Sequence, residues 1–398
     1  MAVDNPVLSP ENTPARRRGT LAAGGFAHFV HDGLTDCQFV LLPVWAEVFG
    51  LSHAQAGLIK MCSSGALASL QLPAGILAEK FGERSVLSLG TMLAGMGLII
   101  AGFATGYISL LIGILILGTG ASTQHPLASA LVSRAFKGGR VRAALGTYNF
   151  AGDLGKVVVP FAVAGMLALW GWRESVYAYG SIVVVSGVIF FFLIGKLAPV
   201  IKQKEKPKVT SKGWGIQDRC GFSTLASISM VDSTCRSAFL TFVSFLLINK
   251  GVEGASIGLA FGLIFAGGAT GKLVCGLIAE RVGVIRTVLI TEILTGLCIL
   301  GVVFLPLAWV WILLPITGIV LNGTSSVLYG TVADFIEPDR LPRAYGLFYT
   351  LAIGAGAIAP VLYGLLSDYA SVNHALVAIG LSAFLTLPLC LALRKSIS

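Results

Sequence analysis

The chain has 398 residues, 55% of them hydrophobic and 12% charged, with a mean hydropathy of +0.85. Soluble domains carry about 25% charged residues, so one large soluble core is excluded and the long apolar blocks read as a polytopic membrane protein. The net charge of +9 lies in the breaks between those blocks, where the positive-inside rule explains it better than nucleic-acid binding does. The 7 cysteines include no C-x-x-C pair, which indicates neither a disulfide framework nor a metal site.

In chain order, residues 1–19 are polar and end near Arg16-Arg17-Arg18. No short apolar core with a cleavage site follows, so they read as a cytoplasmic tail and not as a signal peptide. Twelve spans come next, over roughly 20–48, 54–79, 85–104, 107–133, 141–168, 174–196, 219–249, 254–280, 285–304, 307–333, 342–368 and 372–393. Each is near or above the ~20 residues a bilayer helix needs. Residues 20–196 and 219–393 thus form two six-helix bundles. A lysine-rich cytoplasmic linker, 197–218, joins them, and 394–398 are a second cytoplasmic tail.

Charge placement orients the chain. With the even-numbered loops and both tails on one side, only Arg173 and Lys250 fall on the other, while Lys60, Lys156, Arg236 and Lys272 fall inside spans. The rest of the 28 Lys and Arg share the first side, which puts both termini in the cytoplasm.

The first span places His28, His31, Asp32, Thr35 and Asp36 within one arc of about 140°. A charged group near the bilayer centre costs roughly 2.5–3.5 kcal/mol, so both carboxylates must face protein or water and find partners. They are candidate proton carriers, with the two histidines beside them. Two plainer readings stay open: neutralisation of an acid by Arg236, and hydrogen-bonded packing for His31. In the fourth span Pro126 bends the helix and frees a carbonyl, beside Gln124 and His125, which read as substrate ligands or a polar hinge. The fifth carries Asn149, Asp153 and Lys156 on one face, and the last two neutralise each other at i, i+3 or stay open to protons and substrate.

In the seventh span Asp232 and Arg236, at i, i+4, form an intrahelical salt bridge, or Arg236 faces Asp36 across a cavity. There an arginine could grip a carboxylate or phosphonate through two parallel bonds. Lys60 and Lys272 are the other intramembrane cations, with snorkelling to the cytoplasmic face as the alternative for Lys272, two turns before Glu280, and Glu292 sits near a cytoplasmic end. Asn322 offers an uncharged hydrogen-bonding partner. The remaining intramembrane acids, Asp32, Asp36, Asp153 and Asp232, balance the four bases and leave the sign of the cargo open. No G-x-x-x-x-G-K-[ST] loop occurs, which argues against ATP-driven transport.

The halves repeat each other at an offset of about 200 residues. Gly75-Ile-Leu-Ala-Glu79-Lys80-Phe-Gly82 recurs as Gly276-Leu-Ile-Ala-Glu280-Arg281-Val-Gly283, and Asp32 and Asp36 fall opposite Asp232 and Arg236. The first copy, extended to Arg84, resembles the G-x-L-a-D-[RK]-x-G-[RK]-[RK] loop between helices 2 and 3 of the major facilitator superfamily. Glu79 replaces the usual Asp, and Glu83 a basic residue. The resemblance implies that Gly75, Glu79, Lys80, Gly82, Arg84, Gly276, Glu280, Arg281 and Gly283 form gating loops. Glu79 would latch the closed cytoplasmic side by pairing with basic residues or a helix N-terminus.

Gly118-Thr-Gly-Ala-Ser-Thr-Gln-His125-Pro126, Gly138-Gly139-Arg140 and His28-x-x-x-Asp32 are similar to runs in the fosmidomycin-resistance-type exporters. That resemblance implies proton-coupled drug efflux and antibiotic resistance. The drug-exporter arginine of helix 4 is absent, with Ile114 in its place, and Gly155 and Pro160 only approximate the antiporter G-P motif of helix 5.

The expectation is an all-α membrane protein: twelve transmembrane helices in two parallel six-helix pseudo-repeats, both termini cytoplasmic. It is not an enzyme, needs no cofactor or metal, and works as a monomer in a bacterial inner membrane. Protons would pass through Asp32, Asp36, His28, His31 and Asp153. Arg236, Asp232, His125, Gln124, Lys156, Asn149 and Asn322 would hold a small polar or anionic drug-like cargo for export. The alternatives are an uptake symporter for an organic anion and a non-transporting membrane sensor or assembly component.

Overall fold

The computed structural model describes residues 13–136, 140–197, 215–337 and 341–397. Its helices are α1 (Pro14–Asp36), α2 (Gln38–Phe49), α3 (His53–Phe81), α4 (Glu83–Gly102), α5 (Tyr107–Ala121), α6 (Gln124–Ala135), α7 (Val141–Trp170) and α8 (Trp172–Leu197), followed by α9 (Arg219–Asn249), α10 (Gly254–Val282), α11 (Val284–Phe304), α12 (Leu307–Thr331), α13 (Leu341–Tyr369), α14 (Val372–Ala383) and α15 (Thr386–Ile397). Three pairs, α1–α2, α5–α6 and α14–α15, are single spans broken once. Among the described residues, eleven segments are long and apolar enough to cross a bilayer. The twelfth is α1–α2, interrupted at Cys37 and carrying Asp32 and Asp36.

The ends of the chain are more helical than expected. Thr13 caps α1, its hydroxyl accepting from the Arg16 N–H at 3.3 Å, so Arg16–Arg18 lie in the first turns of a helix. Similarly, α15 runs on through Arg394 and Lys395 to Ile397. Most of the expected linker, 197–218, and the Gly138-Gly139 pair lie outside the described residues. Where the linker ends, Asp218 caps α9 by accepting from the N–H groups of Gly221 (3.0 Å) and Cys220 (2.9 Å). The Gly221 N–H, the Ser396 hydroxyl and the Cys220 N–H hold the Asp218 carboxyl below the usual carboxylate range. The two expected gating loops are one-residue turns at Gly82 (φ +84°) and Gly283 (φ +90°), a backbone region that favours glycine.

With an even number of spans among the described residues, the start of α1 and the end of α15 lie on one face of the bundle. Between the halves, α3 packs along α13 and α7 along α10. These contacts concentrate near the opposite face. A Cβ on Gly57 would collide with the Pro360 carbonyl, and one on Gly364 would lie 2.6 Å from the Cα of Ala54. Phe39 of α2 stacks on Phe261 of α10 with centroids 5.7 Å apart. At the end of the seam, Asp368 accepts from the His53 N–H (2.7 Å) and the Ala54 N–H (2.9 Å), with the His53 ring 3.4 Å away. A carboxylate from one half thus sits on the helix N-terminus of the other.

Hydrogen bonds to a charged group contribute about 1.5–3 kcal/mol each when shielded and less at this half-exposed site. Replacing Asp368 by Ala is therefore expected to raise opening at the far face about tenfold. The readout is the labelling rate of a cysteine placed at Ala164, which packs on Gly258 inside this seam, with a thiol reagent supplied from that face. Unchanged labelling would contradict the latch.

Candidate functional site

The seal leaves a cavity of about 850 Å³ between the halves. Its lining shows where it opens. From α3 come Lys60, Ser63, Leu67 and Gln71; from α7 Leu145, Asn149, Asp153 and Lys156; from α13 Tyr349 and Ile353. All but Lys60 and Ser63 lie from mid-helix toward the ends on the face of the chain termini, while the other ends of α3, α7 and α13 form the seal. The cavity is open to one face only.

Asp32 is the centre of its charge network. Its Oδ2 lies 3.2 Å from His28 Nε2 and 3.3 Å from Lys156 Nζ, and its Oδ1 lies 3.8 Å from His125 Nε2. Lys156 also reaches Asp36, at 3.8 Å. The His28 ring is fixed on its other edge, where Nδ1–H donates to the Tyr148 carbonyl at 3.0 Å. The ring thus ties α1 to α7 on one edge and meets Asp32 of its own helix on the other. Close approach of α7 makes the arrangement possible, since a Cβ on Gly152 would lie 2.6 Å from the His28 ring and 2.8 Å from Asp32 Oδ2.

His28, Asp32 and His125 bring three ligand atoms within 4.8 Å of one another, a set able to hold a divalent cation. Lys156 supplies positive charge at that point.

The second half answers with different pairings. Asp153 is paired with Lys272 Nζ of α10 across the halves, so Asp153 and Lys156 do not neutralise each other. Lys272 stays in the cavity rather than snorkelling. Lys60 donates to the Thr35 carbonyl at 3.0 Å and lies 4.2 Å over the Phe39 ring. Arg236 pairs with Asp232 of its own helix at 3.3 Å; Asp36, also on the wall, takes Lys156 instead. Asp232 is turned behind Arg236, off the cavity wall.

The wall, among the described residues, therefore shows Asp32, Asp36 and Asp153 against Lys60, Lys156, Arg236 and Lys272, with His28 and His125 between them. The even balance expected from the sequence becomes a cation-rich surface. Asn149 and Asn322 also face it.

Besides Asp232, two expected site residues do not face the cavity. His31 Nε2–H donates to Thr91 Oγ1 of α4 at 2.8 Å, the Thr91 hydroxyl donating onward to the Leu87 carbonyl. Gln124 is fully buried and its amide donates to the Tyr148 hydroxyl at 2.8 Å, so it positions that aromatic ring. Periodicity missed Gln71, Tyr329 and Tyr349 on the wall, and it misplaced Glu292. That carboxyl is 1% exposed, deep between α11 and α9.

The loop residues point outward on the open face. Gly75 and Gly276 have open space where a Cβ would be, and Glu79, Lys80, Gly82, Glu280, Arg281 and Gly283 are exposed. Glu83, which departs from the loop pattern, forms an ion pair with Arg134 at the end of α6, inside its own half. Arg84 stacks 3.8 Å over the Phe191 ring of α8 and donates to the Phe191 carbonyl at 2.6 Å.

Removing one partner from a buried ion pair costs about 3–5 kcal/mol, and the 29% exposure of the Lys156 side chain argues for the lower end. Lys156→Gln is expected to lower unfolding stability by about 3 kcal/mol, and adding Asp36→Asn to recover a large part of it. Thermal unfolding followed by tryptophan fluorescence checks both; losses that simply add would contradict the shared pairing.

Comparison with known proteins agrees with this architecture. The chain is 24% identical over 366 residues to the fosmidomycin resistance protein of Escherichia coli (strain K12), covering 89% of this chain and 88% of that protein. It is 24% identical over 353 residues to the bacillibactin exporter of Bacillus subtilis (strain 168), covering 82% and 85%. Its fold matches the crystal structure of a bacterial homolog to the human lysosomal transporter Spinster in an inward-facing, unoccupied conformation. There the TM-score is 0.82 at 16% identity, over 96% of this chain and 98% of that one. The Major Facilitator Superfamily model matches residues 24–222 and 225–396. The chain belongs to the Major Facilitator Superfamily of membrane transporters.

Proposed function

We propose that the protein is a proton-coupled secondary transporter that exports a small polar or anionic molecule by alternating access. It would act as a monomer in a bacterial inner membrane, with both termini and the cavity mouth in the cytoplasm. The charge asymmetry of the loops supports that orientation, and the names of its relatives, a resistance protein and an exporter, support the direction. The observation that carries the proposal is the convergence of His28, His125 and Lys156 on Asp32 at the wall of a cavity open to one face. Buried charge of this kind is costly and marks ion and substrate pathways.

The cycle follows from what faces that carboxylate. Asp36 lies on its own helix, His125 on α6, Tyr148, Asp153 and Lys156 on α7, Lys60 on α3 and Lys272 on α10. A cargo's acid group pairs with Arg236 or Lys272, and its hydrogen-bond donors use Asp32 and Asp36. A proton arriving from the far face occupies the same oxygens, and Lys156 then turns to Asp36. Proton and cargo thus exclude each other, which is antiport. The Asp153–Lys272 bridge between the halves is positioned to break as they rock.

A second reading, uptake symport of an organic anion, is favoured by the cation-rich wall. If protonating Asp32 frees Lys156 for the anion, proton and cargo bind together. Proteoliposomes holding a pH-sensitive dye separate the two, using a panel of phosphonates, carboxylates and cationic drugs. The proposal predicts substrate-dependent proton movement opposite in direction to the cargo, lost in Asp32→Asn and reduced at least tenfold in Asp36→Asn. Movement in the same direction selects symport. Full flux in both variants, or none with any panel member, would overturn proton coupling at this site.

A further inference from the structure

Behind the cavity wall the second half buries two acids against one cation. Asp232 of α9 is 3% exposed and Glu292 of α11 is 1% exposed. Neither lines the cavity, and Arg236, which does, lies 3.3 Å from Asp232. Glu292 faces Asp232, Arg236 and Thr324. Yet neither Glu292 oxygen, nor Asp232 Oδ2, makes a hydrogen bond of good geometry among the described residues.

The hydroxyls of Thr324 and Thr291 are committed elsewhere. Thr324 donates to Thr291 Oγ1 at 2.8 Å, and Thr291 to the carbonyls of Thr287 and Val288 at 3.0 and 3.1 Å. The other titratable groups around the pair are Cys235 on α9, Tyr329 on α12 and Cys390 on α15. Among the described residues, Arg236 is the single cation facing the pair. Two ionised carboxylates here would leave one negative charge in the bundle with no donor and no counter-ion, which buried groups do not tolerate. One shared acid hydrogen satisfies both at once.

We propose that Asp232 and Glu292 share one proton and that this proton sets the affinity of Arg236 for an anionic cargo. With the proton in place, the triad of Arg236, Asp232 and Glu292 is neutral and the guanidinium can accept an anion from the cavity side. When the proton leaves, the triad carries a net negative charge directly behind the binding surface and repels the anion. By linkage, anion and proton strengthen each other's binding by the same factor. This device lies in the second half, apart from Asp32, and acts through Arg236; Glu292 is a positioning residue that touches no cargo. It rests on the reading that the cavity takes an anion at Arg236.

The probe is methanesulfonate, whose charge is constant across the pH range used, with binding to the purified full chain measured by calorimetry from about pH 6 to 9. Wild-type affinity is expected to fall about tenfold as pH rises, within the range of typical linkage. Glu292→Gln, which keeps shape and neutrality, should bind as tightly as the wild type at low pH and lose most of that fall. Infrared difference spectra should show a protonated-carboxyl band in the wild type that is missing in Glu292→Gln. The same fall in both proteins, or infrared spectra from which the substitution removes no carboxyl band, overturns the proposal. Absence of sulfonate binding at every pH in the wild type removes the anion reading and with it the control of affinity. The infrared band then reports by itself whether the pair holds its proton.

Discussion

The structure depends on how Lys156 holds Asp32 and Asp36. Two carboxylates on successive turns of a membrane helix repel each other and lose their hydration, and only an opposite charge delivered between them makes the helix tolerable in a bilayer. Lys156 arrives on α7, which approaches closely because Gly152 has no side chain to fend off His28 and Asp32. The His28 ring, anchored to the Tyr148 carbonyl, lies 3.2 Å from the same carboxylate. With His125 of α6 3.8 Å from Asp32, three helices are thus fixed around one ionisable centre. Moving a proton there changes the charge that all three must accommodate.

Around that centre the bundle has two unlike ends. At the far face, small residues let α3 meet α13 and α7 meet α10 with backbones nearly touching, and Asp368 closes the seam on the N-terminus of α3. Toward the face of the termini the same helices diverge and polar side chains line the gap. Packing of this kind is bistable rather than elastic, so breaking the far seam and forming a near one is a rocking of two rigid halves. Asp153–Lys272 is the cavity ion pair that spans them.

Much of this was legible in the sequence where the signal is local. The spans follow from apolar length, the two loops from their repeated glycines, and the acids of α1 from their single arc. What the sequence did not reveal was partner choice. Helical spacing proposes Asp153 with Lys156, yet each finds its counter-charge on another helix, because tertiary distance and not i, i+3 geometry decides. His31 and Gln124 lie in polar runs like their neighbours, but face Thr91 and Tyr148 instead of the cavity. Glu292 looks like a helix-end residue, whereas it lies two turns inside α11 and is buried facing Asp232. The charge balance shifts for the same reason: an acid turned behind the wall does not count at its surface.

Coupling requires that the proton state of the Asp32–Asp36 cluster decide how the halves stand. Spin labels on Leu72 of α3 and Leu351 of α13, both exposed beside the cavity mouth, report that directly as a distance distribution. In the wild type, reconstituted in nanodiscs, the populations of open and closed mouth are expected to move with pH. In the Asp32→Asn, Asp36→Asn double variant they should stay fixed. A pH response that persists unchanged in the double variant, or none in the wild type, would contradict a coupling centre on α1.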